Sequence, residues 1–112
     1  MGYRAYVMKA GSTEEDNGSD YFNNRSHILL ELFNNHNVEY ENDFRLFREK
    51  WTIKDTELNA LIAILEKSPN EIDECFSEEM DLAMPNHELA DDFRNWLKHA
   101  DKESGLIRIH WS

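Results

Sequence analysis

The sequence predicts an α+β fold in which about four helices pack on a small sheet that includes the N- and C-terminal strands. Apolar residues recur at helical spacing through the middle of the chain, and they alternate at both of its ends. The length of 112 residues suits a single compact domain over 1–112. Hydrophobic residues make up 40% of the chain, enough for a core despite a mean hydropathy of −0.76.

Both ends of the chain are predicted to be strands. Residues 3–9 are rich in β-forming side chains, and residues 106–111 alternate so that Ile107, Ile109 and Trp111 share one face. Strands at opposite ends of a small domain most simply lie side by side in one sheet, so we expect these two to pair.

Four helices are predicted between these strands, near residues 25–35, 55–67, 69–81 and 87–100. The second should be the most buried, because its apolar residues form one continuous stripe. The third depends on the Ser-Pro-Asn-Glu sequence at 68–71, which is typical of a helix start. The predicted core comprises Leu61, Ile62, Leu65, Phe93, Trp96 and Leu97.

Residues 38–53 give conflicting signals. Phe44, Phe47 and Trp51 are spaced as on a helix, whereas residues 38–40 alternate as on a strand. A short strand near 38–40 is favoured, and the remainder is left open between strand and helix. The earlier residues 11–24 are predicted to be a polar loop.

The charge balance argues against several classes of protein. Lys and Arg total 12 against 23 Asp and Glu, which gives a net charge of −11 and a pI near 4.7. Direct nucleic-acid binding and docking on anionic membranes both need clustered cations, so neither is expected. The sequence has no apolar run of membrane-spanning length and no signal-peptide pattern, and its single cysteine allows no internal disulfide. We therefore expect a cytoplasmic protein.

No catalytic or metal-binding motif stands out. The five histidines are scattered, and His87 with Asp91 offers only two ligands on one helix face. Cys75 lies among apolar and acidic residues that would keep its thiol protonated, so we interpret it as core filler. A glycine-rich phosphate loop is also missing. The sequence therefore predicts no enzyme, no metal and no cofactor.

Charge is distributed unevenly along the chain. Residues 68–93 contain no Lys or Arg and nine acidic residues, whereas residues 45–54 are locally basic through Arg45, Arg48, Lys50 and Lys54. The predicted partner-binding residues are Glu74, Glu78, Glu79, Asp81, Glu88, Asp91 and Asp92. In the polar loop, Tyr21 and Phe22 are the candidates for a second, exposed contact.

This profile predicts a small acidic, non-enzymatic inhibitor that mimics nucleic acid and blocks a basic, nucleic-acid-binding surface of a partner protein such as a nuclease. In composition alone it resembles two groups of blocking proteins. These are phage-encoded anti-restriction and anti-CRISPR proteins, and immunity proteins that neutralise a co-encoded toxin. Two alternatives stay open: a structural or adaptor interaction domain, and a small enzyme whose site consists of a carboxylate and a histidine.

Overall fold

The strands form one antiparallel five-stranded sheet. The computed structural model describes residues 4–9, 14–45, 48–76 and 83–112. Its strands are β1 (Ala5–Met8), β2 (Glu15–Asn17), β3 (Tyr40–Arg45), β4 (Arg48–Lys54) and β5 (Leu106–Trp111), in the spatial order β2-β1-β5-β4-β3. Both predicted terminal strands and their pairing are confirmed, because β1 and β5 are antiparallel neighbours with Val7 opposite Ile109.

Among the described residues, three α-helices cover one face of this sheet: α1 (Ser26–Asn35), α2 (Asp55–Glu66) and α3 (Asn86–Leu97). They correspond to three of the four predicted helices, and the α+β class is as predicted. Of the predicted core residues, Leu61, Ile62, Leu65, Phe93 and Trp96 are buried. Leu97 is only half-buried, because it is the last residue of α3 and packs at the margin of the core.

The helix predicted over 69–81 is wrong in its described part. Residues 68–76 contain only a short 3₁₀ helix, Glu74–Phe76, and residues 77–82 lie outside the described residues. Ile72 instead pairs with Pro85 in an isolated antiparallel bridge. A backbone held in extended pairing is not available for helical hydrogen bonds, so the helix-start signal produces only a turn.

Within residues 38–53, the described residues 40–45 and 48–53 form two paired antiparallel strands rather than a helix. Strand β3 begins at Tyr40, not at 38, and pairs with β4 so that Tyr40 lies opposite Ile53. The alternation of β4 turns Trp51 and Ile53 into the core, while Phe44 of β3 is 70% exposed. Although Phe44 and Trp51 have helical spacing in the sequence, both therefore lie on strands.

One strand was not predicted. β2 lies within the predicted polar loop, and its three residues, Glu15–Asn17, are all exposed and polar. They carry no apolar alternation from which a strand is inferred. Within the described ranges, the helices are all too short or too polar to cross a lipid bilayer.

Candidate functional site

Two acidic segments that are separated in the sequence lie side by side in the structure. At the start of α3, the amide N–H of Asn86 donates to the carbonyl of Glu71 at 2.8 Å. The buried side-chain amide of Asn86 also donates to the carbonyl of Ser68 at 3.0 Å. Segment 68–76 is therefore fixed against the first turn of α3.

The joined segments expose four carboxylates, Glu71, Glu74, Glu88 and Asp91, which we call the acidic surface. Within the described part of the chain, the first three have no ion-pair partner. Asp91 accepts a hydrogen bond from Arg94 at 2.8 Å, and Arg94 also contacts Glu66. Because this pair is exposed, it stabilises the fold little, but it neutralises one end of the acidic surface.

An apolar side chain lies within the acidic surface. Ile72 follows Glu71 directly and is 43% exposed. Its backbone is held by the bridge to Pro85, next to the first turn of α3. A single exposed apolar side chain is common on protein surfaces, so Ile72 alone does not mark an interface, but it would supply an apolar contact to a partner that docked on the acidic surface.

The predicted partner-binding residues have different environments. Glu74, Glu88 and Asp91 are exposed, as a docking surface requires. Asp92 is half-buried and accepts a hydrogen bond from the Ser19 hydroxyl at 2.8 Å, so its carboxylate joins α3 to the loop before α1. The remaining three, Glu78, Glu79 and Asp81, lie outside the described residues. Sequence reasoning did not select Glu71 or Ile72 for this surface.

The expectation of an exposed contact at Tyr21 and Phe22 is wrong for Phe22, which is fully buried. Trp111 is the cause, because its indole N–H is buried and donates to the carbonyl of Phe22 at 3.0 Å. Trp96 binds the carbonyl of Gly18 in the same way, at 2.6 Å. These two bonds draw the loop onto the core, and Tyr21 is left half-buried against it.

A histidine that follows α1 is in contact with a carboxylate of segment 68–76. His36 Nε2 lies 2.6 Å from Asp73 Oδ2, and the other oxygen of Asp73 accepts from the Cys75 amide at 3.1 Å. Burial acts to raise the pKa of Asp73. The hydrogen bonds from His36 and Cys75, together with the charge of His36, outweigh burial and lower this pKa below its ordinary 3.8.

These three residues do not form a nucleophilic site. In a cysteine–histidine arrangement the imidazole must contact the thiol to accept its proton, whereas here Asp73 lies between His36 and Cys75. Burial raises the pKa of the Cys75 thiol far above its usual value, and the charge of Asp73 raises it further. The thiol therefore stays protonated, and the interpretation of Cys75 as core filler fits its burial.

The second charged surface, which we call the cationic face, lies on the side of the sheet away from the helices. Alternation places Arg48, Lys50 and Lys54 of β4 there, because the intervening Glu49, Trp51 and Ile53 are buried. Arg4 and Arg108 join them from the chain ends and are likewise exposed. The basic segment at 45–54 is visible in the sequence. The sequence does not show that strand alternation points Glu49 into the core, on the other side of the sheet from the basic side chains.

Groups of three or more side chains that are able to hold a metal ion do not occur among the described residues. Comparisons with family models, with curated proteins and with solved structures returned no match for this chain, so no family assignment supports either surface.

Proposed function

We propose that the chain is a non-enzymatic inhibitor that docks its acidic surface on a basic, nucleic-acid-binding groove of a partner protein. The observation that carries this proposal is the junction of segment 68–76 with the first turn of α3. It brings Glu71 beside the first turn of α3, which carries Glu88, and Glu74 follows in the same segment in a 3₁₀ turn that packs on α1; none of the three has an ion-pair partner among the described residues. Such a surface attracts clustered Lys and Arg over long range and speeds the encounter.

Rigidity and an apolar contact add to this support. The hydrogen bonds of Asn86 fix the acidic surface before a partner arrives, so little conformational entropy is lost on docking. Ile72 offers an apolar contact that nucleic acid itself would not provide, and such contacts commonly supply binding energy at protein interfaces.

The proposal is tested by competition with nucleic acid. Lysate from cells that make the protein is bound to DNA-cellulose, and the purified protein is used to elute at constant ionic strength. We expect the wild type to release one or a few DNA-binding proteins, which mass spectrometry identifies. The double variant Glu71→Lys, Glu88→Lys should release none of them, because its charges now repel a basic groove.

The matched control is Glu39→Lys, Glu103→Lys. Both residues are exposed, both lie outside the acidic surface, and the net charge changes by the same amount. This control should still release the same proteins as the wild type. The proposal fails if the wild type releases nothing, or if the acidic-surface variant releases the same proteins equally well.

A further inference from the structure

The cationic face carries charge that the fold itself does not neutralise. Among the described residues, Arg4, Arg48, Lys50, Lys54 and Arg108 have no carboxylate within ion-pair distance; Arg108 interacts with Asp101 only at longer range. This contrasts with Lys9 and Arg94, which both contact acidic side chains. Lys67, Lys98 and Lys102 likewise have no ion-pair partner among the described residues, so what distinguishes the cationic face is that five such side chains lie on one side of the sheet.

The strand register brings several of these groups together. Lys50 lies opposite His110 across β4 and β5, and Arg108 lies opposite Thr52, one step further along the same face. Arg48, Lys50 and His110 line a groove of about 330 Å³ together with Glu15, Glu49, Trp111 and Ser112. Its volume is at the lower end of the range for small-molecule sites.

We propose that the cationic face binds a small ligand with several phosphate groups, of about the size of a nucleoside triphosphate, in the groove lined by Arg48, Lys50 and His110. Phosphate oxygens accept several hydrogen bonds at once, and Arg and Lys are the side chains that most often provide them. This inference goes beyond the proposed function, since it involves the opposite side of the molecule and does not depend on the acidic surface.

A small ligand fits better than a long polyanion. Acidic residues flank the β4–β5 strip on both sides: on β3, Asp43 lies directly opposite Lys50 and Glu41 opposite Thr52, and on β2, Glu15 lies 3.8 Å from His110. A nucleic-acid strand crossing the sheet would pass over these carboxylates, which would repel its phosphates. The attraction is therefore confined to the β4–β5 strip, about 20 Å long at the usual rise per residue of a strand.

His110 gives the proposed site a distinctive response to pH. Burial lowers the pKa of His110; Lys50 and Arg108 lower it further, and Glu15 acts in the opposite direction at 3.8 Å. The ring is therefore mainly neutral at pH 7 in the free protein. A bound phosphate group would favour its protonated form, so binding should be accompanied by proton uptake.

The test is isothermal titration of the full chain with ATP, tripolyphosphate and inorganic phosphate, without added metal. We expect ATP and tripolyphosphate to bind and inorganic phosphate to bind more weakly. Equal affinity for the first two would assign the binding to the phosphates, and a preference for ATP would add a contact to the nucleoside. Failure of all three to bind at about 5 mM would overturn the proposal.

Variants locate the site. Arg48→Gln with Lys50→Gln should weaken ATP binding about tenfold or more, whereas the control Lys98→Gln with Lys102→Gln, with the same change in net charge, should stay within about twofold of the wild type. If both double variants weakened ATP binding equally, ATP would bind outside the proposed groove. A measurement that needs no variant is the change in backbone amide chemical shifts when ATP is added to the wild type. The residues whose shifts change must cluster on β4 and β5.

The pH arm compares the wild type with His110→Gln. Because titration of the ligand's own phosphates is common to both proteins, the difference between their pH profiles reports His110. Wild-type affinity should rise relative to the variant as the pH falls from about 7.5 to about 5.5. Parallel profiles would show that the ligand does not contact the histidine, and the site as proposed would be wrong.

Discussion

Glu49 is a carboxylate buried in an otherwise apolar core, and both of its oxygens accept hydrogen bonds. The Ser26 hydroxyl donates to one at 2.8 Å, and the Trp51 indole N–H donates to the other at 2.9 Å. Ser26 is the first residue of α1, so the carboxylate lies near a helix N-terminus, where the partial positive charge of the helix stabilises an anion. A buried acid is tolerated here because its partners are all in place.

We expect Glu49→Gln to lower the free energy of unfolding by about 1–3 kcal/mol, because the neutral amide loses the charge-assisted character of both hydrogen bonds and the attraction to the N-terminus of α1. Glu103→Gln, at an exposed turn, should change this free energy by less than about 0.5 kcal/mol. Urea titration at pH 7 measures both. Equal values for the two variants would mean that the donors around Glu49 contribute nothing to stability.

Asp73 should make stability depend on pH in a defined window. Its pKa in the folded protein is lower than its ordinary 3.8, so its contribution to stability is present above that value and is lost as the pH falls through the folded-state pKa. The difference in unfolding free energy between wild type and Asp73→Asn should therefore shrink from pH 5 to about pH 3. Urea titrations across this range test it, and a constant difference would contradict the pairing with His36.

At the scale of elements, α2 offers a test of packing on a single helix. Leu61 and Leu65 are almost fully buried, whereas Ile64 on the same helix is 40% exposed. Leu61→Ala and Leu65→Ala should each lower the free energy of unfolding by about 2–5 kcal/mol, because each leaves a cavity. Ile64→Ala should cost less than about 1 kcal/mol. Similar losses in all three, measured by urea titration, would mean that α2 does not face the core as described.

Elements were predictable where local pattern and tertiary packing agree. Strand β5 has the predicted bounds, because each apolar residue of its alternation faces the helices. The helix over 69–81 failed because its start signal is purely local, whereas the bridge between Ile72 and Pro85 joins residues 13 positions apart. β2 was missed because its pairing with β1 is made by backbone groups alone, under exposed polar side chains.

At the scale of the whole molecule, the two charged surfaces were only partly predictable. Composition along the chain identified the acidic stretch at 68–93 and the basic one at 45–54. It did not reveal that Glu49 turns inward, or that Arg108 on β5 lies beside the basic strand with Arg4 one strand further away. Likewise, Asp92 counts as an acid in the sequence, but in the fold its carboxylate accepts a hydrogen bond from Ser19.

The separation of charge over the whole molecule leads to a kinetic prediction for the proposed inhibitor. The overall field of a protein mainly affects association, whereas contacts at the interface mainly affect dissociation. Both double charge reversals, Glu71→Lys with Glu88→Lys and Glu39→Lys with Glu103→Lys, weaken the negative field equally. With a partner released from DNA-cellulose, both should therefore slow association at about 50 mM salt.

Only the reversal within the acidic surface should also speed dissociation, because only there does a cation replace a carboxylate that contacts the partner. At about 500 mM salt the field is screened within a few ångströms, so the control should recover the wild-type association rate. Surface plasmon resonance at the two salt concentrations separates these effects. If the two variants dissociate at the same rate, the acidic surface acts through its field alone, and the partner contact lies elsewhere on the molecule.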